Sequence, residues 1–238
     1  MFVMKMKLQQ FFRKIGKSVL WLFVSLLVLS VFSAFSLRYV SVRVTPLMLI
    51  RVVEQWSEGK SMKLEQEWIS IDDMSAQMIT AVIASEDNLF LTHNGFDFEA
   101  IKKARNLNEK GKKLYGASTI SQQTAKNVFL WPSRSWVRKA IETYMTFLLE
   151  TFNSKQRIME IYLNVVELGD GIYGVESASR YYYKHSASKL TRSEAAMLAA
   201  CLPAPLKSDP KNPSSKLYKK QLKIMKLMPK VKKTGWGR

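Results

Sequence analysis

Ser85-Glu86-Asp87-Asn88-Leu89-Phe90-Leu91-Thr92-His93-Asn94-Gly95-Phe96-Asp97 closes the apolar, helix-forming run Met78-Ile79-Thr80-Ala81-Val82-Ile83-Ala84, and this junction decides how the chain folds. A helix beginning near Asp72 or Asp73 places Met78, Val82 and Glu86 on one face at i, i+4 and i+8. The stripe expected to be buried therefore ends in a carboxylate. A helix C-terminus carries partial negative charge and burial opposes ionisation, so both favour the protonated acid and suit Glu86 to general acid/base work. The alternative is a helix-ending glutamate pointing into water.

Around this junction the chain has 238 residues, room for one membrane segment and one compact domain. It is 47% hydrophobic and 24% charged, a globular rather than disordered composition. Lys and Arg number 37 against 19 Asp and Glu, a formal charge of +18 that favours an anionic partner: nucleic acid, anionic lipid or a phosphate-bearing substrate. One cysteine, Cys201, excludes an intrachain disulfide, and with two histidines it argues against a Cys/His zinc site. Any metal would be a hard cation held by carboxylates.

Residues 1–17 are basic, with Lys5, Lys7, Arg13, Lys14 and Lys17 and no acid, and Ser18 to Leu37 carries no charge. At about 1.5 Å per residue the uncharged run spans roughly the 30 Å hydrocarbon layer of a bilayer. Its length, and the bulky Phe35, Leu37 and Tyr39 where cleavage would occur, favour an uncleaved anchor over a signal peptide. The basic flank predicts a cytoplasmic N-terminus, an asymmetry weakened by Arg38, Arg43 and Arg51.

Thr45-Pro46 reads as a cap and first helical position for an apolar helix, Leu47 to Trp56, interrupted by Arg51 and Glu54. That helix either lies on the membrane surface or packs in a core. Asp97 is expected to cap a helix through Leu107, followed by a basic, flexible 109–113 segment. Further helices are expected at Ser135–Phe152, Lys155–Asn164, Ile172–Tyr183 and Arg192–Leu202. The one strand candidate is Arg38–Val44, and the tail from Lys207 reads as basic and partly irregular.

Four clusters besides the opening stretch could carry chemistry. Gly116-Ala117-Ser118-Thr119-Ile120-Ser121-Gln122-Gln123 opens a helix with hydroxyls and free N–H groups, and Lys126-Asn127 follows within two turns. That suits a phosphate, or is a plain capped helix. Arg138-Lys139-Ala140-Ile141-Glu142 pairs Arg138 with Glu142 at i, i+4, a spacing also met in routine helical ion pairs. Glu160 and Asn164 share the same spacing, and Gly174 to Tyr183 mixes small residues, Glu176 and tyrosines.

Taken in order, these clusters match one family. Glu86-Asp87-x-x-Phe90-x-x-His93-x-Gly95-Phe96-Asp97 is its first motif. Gly116-x-Ser118-Thr119-Ile120-x-Gln122-Gln123-x-x-Lys126-Asn127 is its second and Arg138-Lys139-x-x-Glu142 its third, and the last two clusters match its fourth and fifth. The sequence resembles a monofunctional biosynthetic peptidoglycan transglycosylase, related to the glycosyltransferase module of class A penicillin-binding proteins, over about Thr45 to Leu206. Ser121, Met159 and Tyr183 stand where threonine, leucine and phenylalanine are usual.

The resemblance implies a mainly α fold: residues 1–17 cytoplasmic, 18–37 a transmembrane anchor, 38–206 a lysozyme-like helical glycosyltransferase domain and 207–238 a basic tail. It implies polymerisation of lipid II into β-1,4-linked glycan by a single inverting displacement of undecaprenyl pyrophosphate. Glu86 would be the general base, Lys126, Arg138 and Lys139 would hold the pyrophosphate, and Glu142 would support the donor side. Asp87, Phe90, His93, Thr119, Gln123, Asn127 and Glu176 would line the cleft. A divalent cation, Mg or Mn, at Glu86 and Glu142 is the one cofactor left open, with no organic cofactor. The implied partners are lipid II, the growing glycan, the bilayer and other cell-wall synthesis and division proteins; the implied location is the bacterial inner membrane, with the catalytic domain periplasmic. Nucleic acid would explain the charge but not the anchor. A lysozyme-like glycosidase would not need three phosphate-binding cations, and an inactive scaffold would be expected to lack Glu86 or Glu142.

Overall fold

The helix that ends in Glu86 lies at the centre of the molecule. The computed structural model describes residues 2–109, 111, 116–133 and 135–238, with side chains from residue 13 onward. In chain order the long elements are α1 (Phe2–Ser36), α2 (Pro46–Ser57), α3 (Ala76–Glu86), α4 (Phe98–Glu109), α5 (Ile120–Phe129), α6 (Trp136–Phe152), α7 (Lys155–Val165), α8 (Val175–Tyr183), α9 (Arg192–Cys201) and α10 (Ser215–Leu227). The fold is mainly helical, as expected.

Most helix starts follow from caps written in the sequence. Thr45, Ser75, Thr119, Ser135, Ser154, Thr191 and Ser214 each accept a hydrogen bond from a first-turn N–H. Thr119 and Thr191 form full capping boxes with Gln122 and Glu194. α3 starts later than the Asp72–Asp73 expectation, because Ser70 caps a separate 3₁₀ turn, Ile71–Asp73, and Ser75 caps the helix proper. Met78 and Val82 are fully buried, and so are Ile79, Ala81 and Ile83, so α3 is enclosed on several sides and not along one stripe alone.

α3 packs against α9 and α10, while α5 packs against α6 and α7. α9 buries every residue from Ala195 to Cys201, and its run of alanines keeps it thin enough to sit between its neighbours. Among the described residues three short strands form a small sheet beside the core: β1 (Glu65–Gln66), β2 (Glu167–Gly169) and β3 (Ile172–Tyr173), in the order β1-β3-β2. β1 runs parallel to β3, with Glu65 opposite Ile172, and β2 runs antiparallel to it, with Glu167 opposite Tyr173.

Three expectations are corrected. Arg38–Val44 is not a strand: the Arg157 guanidinium takes the carbonyls of Leu37 and Val40, both at 2.7 Å, which a ladder would otherwise need. Ile172–Tyr173 is strand rather than the start of α8, because Gly174 intervenes at φ +77°, where a Cβ would come within 2.7 Å of the Asn164 carbonyl. The segment after Lys207 is irregular at 208–214 and 232–238, as expected, but holds between them α10, whose Leu217, Gln221 and Ile224 lie buried at helical spacing with Met228 just beyond. Of the segment expected to be flexible, residues 110, 112 and 113 lie outside the described residues.

Within α1, Arg13–Ser36 contains an 18-residue window of mean hydropathy 2.3 that is only 6% buried, and the helix is long and apolar enough to cross a membrane. Its last turns are part of the domain. Ser30 Oγ and Tyr144 OH are 2.9 Å apart, Asn153 Nδ2 donates to the Ala34 carbonyl at 3.0 Å, and Phe35 meets Phe152 edge to face.

Candidate active site

The site forms where the α3–α9–α10 group meets the α5–α6–α7 group. Glu86 is the last residue of α3 and is half-buried. Gln123, one turn into α5, donates from Nε2 to Glu86 Oε2 at 3.0 Å, and Tyr162 OH on α7 donates to Gln123 Oε1 at 3.2 Å. Two side chains in series thus hold the Glu86 carboxylate in place. Lys220 on α10 feels Glu86 as well: burial lowers its pKa, against the raising attraction of Glu86 and Cys201.

Asp87 ties the first two motifs together. Its carboxylate accepts from the backbone N–H of Ile120 at 3.0 Å and meets His93 Nε2, also at 3.0 Å. The intervening loop closes at Gly95, where φ is +86° and the carbonyl accepts from Thr119 Oγ1 at 2.6 Å. Thr119 is thus fully employed as cap and loop tie, and it is buried. Phe90 is wholly buried beneath the Lys155 ammonium, 4.6 Å from the ring centroid. Phe90 and Thr119 therefore shape the cleft from behind and do not line it. His93 Nδ1 is buried and has no hydrogen-bond partner among the described residues.

The cationic half is built on α5 and α6. Arg138 donates to Glu142 Oε2 at 2.9 Å, and Lys139 pairs with Oε1. Glu142 is 3% exposed, so this is no ordinary surface pair: one buried carboxylate sets the positions of two cations. Arg138 Nε is itself buried and has no hydrogen-bond partner among the described residues. Lys126 keeps part of its surface open, yet its ammonium is crowded by protein. That desolvation lowers its pKa, and Arg138 and Lys139 push the same way, against the attraction of Glu142 and Glu167. Lys126, Asn127 and Arg138 line a cavity of about 470 Å³ together with Arg51, Trp131 and Glu167.

Arg51 and Glu167 were not among the residues the motifs singled out. Arg51 Nε donates to Glu167 Oε1 at 3.1 Å, and burial raises the Glu167 pKa against the pull of Arg51. The signal for Arg51 was its break in the otherwise apolar face of α2.

Glu176 lies elsewhere. Its carboxylate accepts from Ala187 N at 2.7 Å and Ser186 Oγ at 3.0 Å and pairs with Arg180, while the Ala187 carbonyl accepts from Ser75 N, at the start of α3. Glu86 stands at the other end of that 11-residue helix, roughly 16 Å away by helix rise. Glu176 braces the fold and is not brought to the cleft. The cluster at Glu160 and Asn164 does similar work, because Asn164 bonds both backbone groups of Ile69 and Glu160 accepts from Ile71 N.

A divalent cation shared by Glu86 and Glu142 does not fit these residues. Both Glu142 oxygens are already engaged by cations, and no group of three or more His, Cys, Asp or Glu side chains suited to a metal occurs among the described residues.

Comparison with known proteins gives the chain's family. A family profile described as Transglycosylase matches residues 52–229. The chain is 52% identical over 196 residues to the biosynthetic peptidoglycan transglycosylase of Bacteroides thetaiotaomicron, covering 82% of this chain and 79% of the relative. Identity to the protein of the same name from Caulobacter vibrioides is 46% over 227 residues, 95% of this chain and 96% of that one. For the Bdellovibrio bacteriovorus protein of that name it is 44% over 234 residues, 98% and 92% respectively. Matched over most of its length by profile and relatives alike, the chain belongs to the transglycosylase family.

Proposed function

We propose that this peptidoglycan glycosyltransferase uses Glu86 as general base and the Lys126–Arg138–Lys139 cluster as its leaving-group site, with lipid II and the growing glycan as substrates. The acceptor 4-hydroxyl of an incoming lipid II attacks the anomeric carbon of the growing chain and loses its proton to Glu86. The bond from that carbon to the pyrophosphate oxygen breaks, and its electron pair leaves with undecaprenyl pyrophosphate. One displacement turns the α-linked donor into a β-linked product, so no covalent enzyme intermediate is needed.

The buried Arg138 Nε, unpartnered among the described residues, beside Lys126 at the 470 Å³ cavity carries this reading. A fixed donor next to desolvated cations supplies what a departing pyrophosphate requires: positive charge already in place, with no proton to deliver. Glu142 holds Arg138 and Lys139 in position through both of its oxygens. An inactive scaffold would have no use for Gln123 holding Glu86, and a hydrolase would have none for the cation cluster.

On this reading α1 is a single-pass anchor in the bacterial inner membrane. Its basic N-terminus is cytoplasmic and its domain periplasmic, where the domain works beside other wall-synthesis and division proteins. Confinement to the surface that carries lipid II raises the effective concentration of both.

The test is polymerisation of purified lipid II by the detergent-solubilised full chain. Wild type is expected to give polymer, and a folded Glu86→Gln variant at most about a thousandth of the rate. Comparable rates from the two would remove Glu86 from the chemistry.

A further inference from the structure

We propose that Tyr162 is a positioning residue for the reaction: its hydroxyl fixes the orientation of the Gln123 amide, and through it the state of Glu86. The inference rests on Glu86 being the base. Gln123 can present either end of its amide to Glu86, and only the NH₂ end supports a carboxylate. With Nε2 3.0 Å from Glu86 Oε2, the oxygen must face away, and there Tyr162 donates to it at 3.2 Å. A flipped amide would set Gln123 Oε1 against the carboxylate and leave Nε2 toward the phenol. The Glu86 carboxylate, which can only accept, selects the NH₂ end, and Tyr162, donating to the oxygen at the other end, anchors the amide in that arrangement.

Three features make Tyr162 suited to this. It is fully buried, so no water competes for the Gln123 oxygen. It sits on α7, packed against α5, the helix that carries Gln123. Its phenol stays protonated at any working pH, because burial, then the charges of Glu86 and Asp87, raise its pKa well above the ordinary tyrosine value. The same burial closes the chain at Tyr162, so the three residues hold a proton acceptor in place and do not conduct its proton to solvent.

Other groups face Glu86, and their pull stays constant when only the Tyr162 hydroxyl is removed. They are Asp87 with its partner His93, and Lys220 on α10. Near the end of α9 stands Cys201, whose thiol burial pushes up to about 12, so it is neutral. A change in pH dependence after Tyr162→Phe is therefore assigned to the amide.

The experiment measures lipid II polymerisation against pH for detergent-solubilised wild type, Tyr162→Phe and Glu86→Gln, with a thermal melt of each. Loss of the fixed donor favours the protonated form of the base. The acidic limb of the Tyr162→Phe profile is expected to move up by roughly half to one pH unit, and kcat to fall several-fold while KM changes little. A folded Tyr162→Phe with an unmoved limb and kcat overturns the proposal, and so does a drop in kcat with an unmoved limb, which marks a merely structural role. If Tyr162→Phe fails to fold, 3-fluorotyrosine at position 162 keeps the shape and strengthens the donor. The limb should then move down, and an unmoved limb again overturns the proposal. Substantial activity in Glu86→Gln instead defeats the base assignment itself, an outcome separate from an unmoved limb in an enzyme that still depends on Glu86.

Discussion

Glu142→Gln is the sharpest test of how the cation cluster is held. The change keeps the side chain's size and removes its charge. Glu142 is 3% exposed and Arg138's side chain 13%, so that half of the arrangement is shielded from water, whereas Lys139's side chain is 40% exposed and solvent screens its share. Removing one partner of a buried pair costs about 3–5 kcal/mol. Glutamine still offers one carbonyl acceptor, so a loss of about 2–3 kcal/mol is the working figure. For a domain of this size that lowers Tm by roughly 4–12 °C. Activity should fall by more than stability explains, because Arg138 and Lys139 lose the carboxylate that places them and repel Lys126 without compensation; a misplacement of about 1 Å costs roughly 100-fold. The assay pairs calorimetry of the solubilised protein with polymerisation of labelled lipid II below the Tm of the variant. Unchanged melting and unchanged polymerisation together would show that Glu142 neither braces nor positions the cations. Full activity with reduced Tm would make its role structural alone.

Two further outcomes follow from the site. The Lys126 ammonium is charged below its pKa, and burial lowers that pKa. The alkaline limb of the rate profile should therefore lie below the ordinary lysine range; Lys126→Arg should push it upward, Lys126→Met should cost about 10²–10³-fold in kcat, and a limb identical in the arginine variant would refute the assignment. Asp87→Ala leaves the buried N–H of Ile120 without its acceptor, a loss of about 1–3 kcal/mol. Amide exchange at the start of α5 should accelerate, and exchange as slow as in wild type would show that Asp87 does not join the two motifs.

The caps and the 3.6-residue periodicity made most helices legible, because Ser135, Thr119 and Ser154 act within four residues of themselves. Glu86 was legible for the same reason, as the end of a locally defined helix. What escaped depends on distant partners. The strands β2 and β3 are three and two residues long, and pairing alone defines them. α10 was hidden by its lysines, which flank a narrow buried stripe. Tyr162 lay unremarked inside the helix expected at Lys155–Asn164, and only the folded chain brings its hydroxyl to a glutamine 39 residues earlier. Phe90, Thr119 and Glu176 show the converse: a motif marks a residue as needed without saying whether it touches substrate or holds up one that does.

The bonds from Asn153 and Arg157 to the carbonyls of Ala34, Leu37 and Val40 leave no joint between anchor and domain. An enzyme on a slack tether would sweep a hemisphere above its lipid leaflet; with α1 in a bilayer, as proposed, this one would drift sideways and spin about the membrane normal. On that reading the altitude of Glu86 over the lipid headgroups would be a constant of the molecule. Bilayer thickness becomes a control on catalysis, because a membrane too thick or thin for α1 must tilt the whole enzyme, cleft included, and cannot tilt the anchor alone.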